Sequence, residues 1–214
     1  MTRQLLILFS VALLSLQGCQ QPRPTGLPFY DTPDFTPRWN SKKKGTPAPH
    51  TIKPFTFKDQ NGHPLSNAKF QNTMYISGFF FSSCNGICPS IIQNLKRVNS
   101  ALETDQKINI LLHSVTPQID RPGRLKAFEK QHHLDPTYWH LVTGQKDTLY
   151  DMARTAYFVE EPEGNKPTAL IHTEWVTLID QNKRIRGLYR ATLPRDITHL
   201  IADIQTLQKT HLVH

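Results

Sequence analysis

Two cysteines stand four positions apart between an apolar run and a proline-led helix, and that junction limits how the chain around it can fold. The segment reads Met74-Tyr-Ile-Ser-Gly-Phe-Phe-Phe-Ser-Ser-Cys84-Asn-Gly-Ile-Cys88-Pro89. Thr73 to Phe81 is β-branched and aromatic, the pattern of a buried strand. Pro89 to Glu103 places Ile91, Ile92, Leu95, Val98 and Leu102 at helical spacing. Proline sits in the first turn, where its missing N–H costs nothing. A strand therefore delivers a thiol pair to the mouth of a helix.

A helix N-terminus carries a partial positive charge and unpaired N–H donors, so it favours thiolate over thiol. Cys88, next to Pro89, is expected at that terminus and so holds the better electrostatic position; Cys84 is expected to be the more exposed. Asn85 and Gly86 let the loop bend until the Cα atoms reach the roughly 4.4–6.8 Å a disulfide needs. The same placement would let both sulfurs share one soft metal ion. The sequence leaves both outcomes open. A purely structural bridge is the bland alternative in an oxidising compartment. So small a loop, however, constrains the unfolded chain little.

A metal site needs a third ligand. His172, in Pro167-Thr-Ala-Leu-Ile-His172-Thr-Glu-Trp-Val176, is the candidate, at the start of a strand expected to enter the sheet near the cysteine helix. Two thiolates and an imidazole suit copper, whereas structural zinc usually takes four protein ligands. His132, His133 and His140 form the only other local cluster, and a solvated face explains their adjacency equally well. A peroxide-reducing thiol is a weaker reading. It needs a hydroxyl and an arginine beside the sulfur; Ser82 and Ser83 offer the first, and no arginine can be assigned from sequence.

The third cysteine, Cys19, has a separate explanation. Residues 1–18 read as a signal segment: basic Arg3, an apolar run from Leu5 to Leu16, then Leu16-Gln17-Gly18-Cys19. The run is short for a membrane span. Leu-x-Gly-Cys resembles the bacterial lipobox, so Cys19 is expected to carry lipid and to hold the chain on the periplasmic side of a bacterial membrane. Residues 19–54 read as a Pro/Lys-rich, membrane-proximal linker, extended by its prolines. Its Phe29, Tyr30, Phe35 and Trp39 are expected to pack back on the domain. Residues 55–214 suit one domain. The net charge of +8 invites a nucleic-acid reading, which fails for want of a binding motif and because the compartment holds little nucleic acid. An acidic protein partner fits the charge better.

From residue 55 strands and helices alternate. Phe55 to Leu65 reads as a hairpin about Asn61-Gly62. Lys107–Val115 and Trp139–Val142 are strands; Arg124–Gln131 and Lys146–Ala156 are helices. Leu170–Asp180 and Arg184–Tyr189 form a second hairpin, and Asp196–Leu207 closes the chain as an amphipathic helix. This order predicts an α/β fold, a thioredoxin-like sandwich with a mixed central sheet and an added N-terminal hairpin.

These residues resemble the Sco/SenC family of copper chaperones. Gly78-Phe-Phe-Phe-Ser-Ser-Cys84-Asn-Gly-Ile-Cys88-Pro89 looks like the family's strand, Cys-x-x-x-Cys-Pro motif and helix start. Leu111 to Phe128 and Leu141-Val-Thr-Gly144 are similar to its middle strand, following loop and next strand. Ile171-His172-Thr173 falls where the family places its copper-ligating histidine. The resemblance implies copper held by Cys84, Cys88 and His172, and delivery to the binuclear copper site of a cytochrome c oxidase subunit. Some relatives act instead as thiol–disulfide oxidoreductases that reduce cysteines of copper proteins. In that role Cys84 would attack, by analogy with thioredoxin order. The chain departs from the family pattern at Asn85-Gly86-Ile87, Thr116 and Ile171, where acidic residues are frequent. Fewer carboxylates weaken support for Cu(II) and leave the Cu(I) ligand set intact.

Overall fold

The computed structural model describes residues 26–39, 48–159 and 174–211. Cys19, the 1–18 signal segment and His172 lie outside the described residues, as does the first part of the strand expected from Leu170.

Two small hairpins precede the main sheet: β1 (Phe29–Tyr30) with β2 (Pro37–Arg38), and β3 (Thr56–Lys58) with β4 (Pro64–Ser66). The second is the hairpin expected about Asn61-Gly62. Its turn is built by Asp59, whose carboxylate accepts from the N–H groups of Asn61 and His63, both at 2.8 Å. Gly62 supplies the positive φ of 84° that closing the turn demands.

The central sheet has five strands in the order β7-β6-β5-β8-β9: β5 (Tyr75–Phe80), β6 (Asn109–Ser114), β7 (Trp139–Val142), β8 (Trp175–Ile179) and β9 (Ile185–Arg190). β5, β6 and β7 run parallel, while β8 runs antiparallel to both its neighbours, β5 and β9. The sheet is therefore mixed, as the alternation of elements predicts. β5 is central and buried along its whole length. Its period-2 alternation divides the core. Ile76 and Phe80 face one layer with Ile110, Leu112 and Val176; Tyr75 and Phe79 face the other with Leu111, Val142 and Ile179. Gly78 lets its neighbours close over the centre, since a Cβ there would lie 3.0 Å from Val176 Cγ1 and 3.2 Å from Leu112 Cδ2 and would push both aside.

Helices cover both faces. α1 (Cys88–Ala101), α2 (Pro122–Gln131) and α4 (Pro194–His211) pack on the first layer, through Leu95, Val98, Leu125, Phe128, Leu200 and Ile204. α3 (Lys146–Tyr157) and the β3–β4 hairpin cover the second. Each large apolar side chain buried this way contributes about 1.5–3 kcal/mol. α2 starts two residues earlier than the periodicity suggests, because Pro122 occupies its first turn. α3 stops where Phe158 turns left-handed, with φ 54°.

Residues 26–39 pack on the domain. The Arg186 guanidinium donates to the carbonyls of Leu27 (2.7 Å) and Pro28 (2.9 Å) and lies 4.0 Å over the Phe29 ring. Phe35 meets Phe158 edge-on at 5.9 Å. Tyr30 packs against the second layer, while Trp39 stays 40% exposed, so the expected packing holds for Phe29, Tyr30 and Phe35.

Candidate functional site

β5 ends at Phe80 and α1 begins at Cys88, so the thiol pair sits at the carboxyl end of a central parallel strand. Open α/β sheets place their sites at that edge. The Cys84 N–H donates to the Phe81 carbonyl at 3.2 Å, closing a turn that contains Ser82 and Ser83. Both cysteines are free, Cys84 half-buried and Cys88 buried. Cys88 belongs to the apolar layer beneath α1, and Cys84 packs against that layer's edge.

A hydrogen bond joins the two thiols, and their surroundings make them unequal. Burial pushes the Cys84 thiol up, but a hydrogen bond from the Cys88 thiol and the backbone N–H groups of Cys88, Gly86 and Ile87 outweigh it, so the net shift is downward. Burial pushes Cys88 up to about 12, helped by its donation to Cys84 and by the negative charges of Cys84 and Asp120. This corrects the expectation that Cys88 holds the better electrostatic position. Cys88 is itself the first helical residue, with its side chain turned into the core. The loop folds the free N–H groups at the helix mouth over Cys84 instead.

Two residues that sequence reasoning did not assign to the site stand beside this turn. Asp120 is fully buried. It accepts from Ser82 N–H (3.1 Å), Ser82 Oγ (2.5 Å), Ser114 Oγ (2.7 Å) and Thr116 Oγ1 (3.0 Å). One carboxylate thus ties the cysteine turn to the end of β6. Arg124, in the first turn of α2, donates Nε to Ser82 Oγ at 2.7 Å and lies 4.0 Å from Asp120. A signal was present: Asp120 and Arg124 are one helical turn apart and follow a strand ending in hydroxyls, Ser114 and Thr116. The loop that opens on Thr116 rather than an acidic residue therefore still returns a carboxylate toward the dithiol.

The histidine cluster does not converge. His132 packs against Phe128 at a tilt of 41°, ring centroids 4.2 Å apart. His140 is buried in β7, its Nε2 3.0 Å from Asn109 Oδ1. Among the described residues, no group of three His, Cys, Asp or Glu side chains is placed to hold a metal. His172, the third ligand expected from the sequence, lies outside those residues.

A family model described as SCO1/SenC matches residues 43–209. The chain belongs to the SCO1/SenC family. Three solved relatives share the fold. A SCO1/SenC family lipoprotein from Bacillus anthracis str. Ames is 25% identical with a TM-score of 0.66, over 74% of this chain and 95% of that one. BsSco, described as a member of the Sco family of cytochrome c oxidase assembly proteins, is 23% identical with a TM-score of 0.64, over 75% and 94%. ScoI of Bradyrhizobium japonicum, solved with copper bound, is 19% identical with a TM-score of 0.55, over 73% and 99%. The Sco fold, a thioredoxin-like sandwich about a mixed sheet, is thus the fold of this chain.

Proposed function

We propose that this Sco protein is a membrane-tethered copper chaperone that holds Cu(I) on Cys84, Cys88 and His172 and passes it to a cytochrome c oxidase subunit at the binuclear copper site. The observation that carries the reading is the free, hydrogen-bonded thiol pair at the sheet's carboxyl edge. Two sulfurs that close, one already biased toward thiolate, form a soft two-point clamp. Copper in the solved ScoI relative and the oxidase-assembly description of BsSco support the choice of cargo and acceptor. Chain order is the argument for His172: it stands ahead of β8 (Trp175–Ile179), the strand that pairs with β5, which carries the cysteine turn.

Loading requires that Cys88 surrender its proton, so copper uptake releases protons and tightens as pH rises. Delivery is ligand exchange, in which an acceptor's thiolates replace the three donors one at a time. Titration of the reduced chain with Cu(I) should saturate at one copper per chain, and copper-edge absorption should report two sulfurs and one nitrogen. His172→Ala should keep the sulfurs, lose the nitrogen and bind far more weakly. Unchanged affinity in that variant would remove His172 from the site.

The tether is part of the same proposal: Cys19 carries lipid on the periplasmic side of a bacterial membrane. The lipoprotein relative from Bacillus anthracis supports it. Cys19→Ala should move the chain from the membrane fraction to the soluble one, and retention of that variant in the membrane would count against lipidation.

The inequality of the thiols favours a second reading, thiol–disulfide exchange, in which Cys84 attacks a partner disulfide and Cys88 resolves the mixed species. Cys88→Ser should then trap a mixed disulfide through Cys84, and His172→Ala should exchange as fast as wild type.

A further inference from the structure

The turn that carries Cys84 also holds a guanidinium–hydroxyl pair that neither copper binding nor disulfide exchange uses. The Ser82 hydroxyl gives its proton to Asp120, and its lone pair receives Arg124 Nε at 2.7 Å. This fixes the Arg124 stem on the turn that Cys84 closes. The Arg124 side chain remains 51% exposed, and its terminal amino groups make no hydrogen bond to any described residue. The Cys84 sulfur sits under three backbone N–H groups with the Cys88 thiol in contact. Cleaving an O–O bond asks for these parts: a sulfur nucleophile, donors for the departing oxygen, and a second thiol to resolve the product.

We infer that the reduced dithiol consumes small hydroperoxides, with Arg124 holding the peroxide oxygens while Cys84 attacks. In the first step the Cys84 thiolate attacks the terminal hydroxyl oxygen of ROOH. A sulfur–oxygen bond forms, the O–O bond breaks, and RO⁻ leaves against the Arg124 N–H donors and takes a proton from solvent as ROH. In the second step the Cys88 sulfur attacks the Cys84 sulfenic acid and displaces hydroxide, which departs as water with the Cys88 proton. The dithiol loses two electrons and the peroxide gains them, giving a Cys84–Cys88 disulfide, one alcohol (or water) and one water. No metal takes part. The small loop and the existing contact between the sulfurs make the second step a local closure.

The test uses the reduced full-length chain, stripped of metal, mixed with hydrogen peroxide or tert-butyl hydroperoxide while free thiol is followed. Wild type should oxidise at least about 100-fold faster than free cysteine at the same pH, and Arg124→Met should lose most of that gain, since one transition-state donor is worth roughly 10²–10³ in rate. Cys88→Ser should accumulate a sulfenic acid on Cys84 that dimedone traps. Arg124→Gln, which keeps a hydrogen-bond donor for Ser82, guards against a folding defect: it should fold, bind one Cu(I) and still oxidise slowly. Wild type reacting at the rate of free cysteine, or Arg124→Gln matching wild type, would overturn the inference. Copper stoichiometry is read separately, so failure here leaves the chaperone proposal untouched, and failure of copper binding leaves this one standing.

Discussion

At Cys84 and Cys88 two identical side chains become unequal through position alone. One accepts hydrogen bonds from three backbone N–H groups and a thiol; the other is the donor of that thiol bond and is buried in the layer under α1. Alkylation at neutral pH should therefore modify Cys84 first and Cys88 only after unfolding. Peptide mapping after brief iodoacetamide treatment reads the order, and equal labelling would contradict the asymmetry. Cys88→Ser keeps a weaker donor in place and should bring the Cys84 pKa back toward its ordinary value, visible as a shift in thiolate absorbance with pH. The dithiol itself was legible in the sequence because spacing, proline and strand composition all pointed to one spot. Which sulfur the helix mouth serves was not. That depends on how three loop residues fold back, and one-dimensional order gave Cys88 a place that the loop hands to Cys84.

Among the elements, those with strong periodicity were read correctly: α1, β5 to β7 and the β3–β4 hairpin stand where their patterns predict. The joint between β5 and β6 was not legible, because it is made by a single side chain from a loop. Asp120 satisfies four donors from the turn after β5, the last residue of β6 and the loop that follows β6, and burying a carboxylate is tolerable only when its lone pairs are filled in this way. Asp120→Ala should leave Ser82, Ser114 and Thr116 hydroxyls without their acceptor. A cost of about 3 kcal/mol or more follows, at about 1–3 kcal/mol for each buried group left unpaired. Denaturant unfolding should show a lower midpoint with an unchanged slope, and amide exchange at Ser82 and Cys84 should accelerate more than exchange in β7. A uniform acceleration across the sheet would mean that Asp120 supports the whole fold rather than the cysteine turn.

For the molecule as a whole, the layer opposite the dithiol sets a limit on acid tolerance. His113, in β6, is fully buried among Phe55, Phe57, Phe79 and Tyr157. Its Nδ1 lies 3.3 Å from the Gly78 carbonyl and 3.4 Å from Ser77 Oγ, and its Nε2 has no partner among the described residues. Burial holds it neutral, with a pKa lowered to about 4; His140 is lowered to about 4 chiefly by burial as well. The unfolded chain binds these protons near pH 6.5, so unfolding takes up protons between about pH 6.5 and 4. Stability from each histidine is complete above that window and is lost as pH falls through it, by about 1.4 kcal/mol per unit, or about 3 kcal/mol in all. Wild-type unfolding free energy should therefore fall across this range with a slope near two protons. His113→Gln, which retains a donor for the Gly78 carbonyl, should lower stability at pH 7 yet halve the slope. A slope equal to wild type would place the acid sensitivity elsewhere. Because this layer shares β5 with the dithiol through Phe79 and Phe80, protonation of His113 in the folded chain, near pH 4, should loosen the strand that carries the cysteine turn, and copper uptake should weaken there more steeply than thiol protonation alone requires.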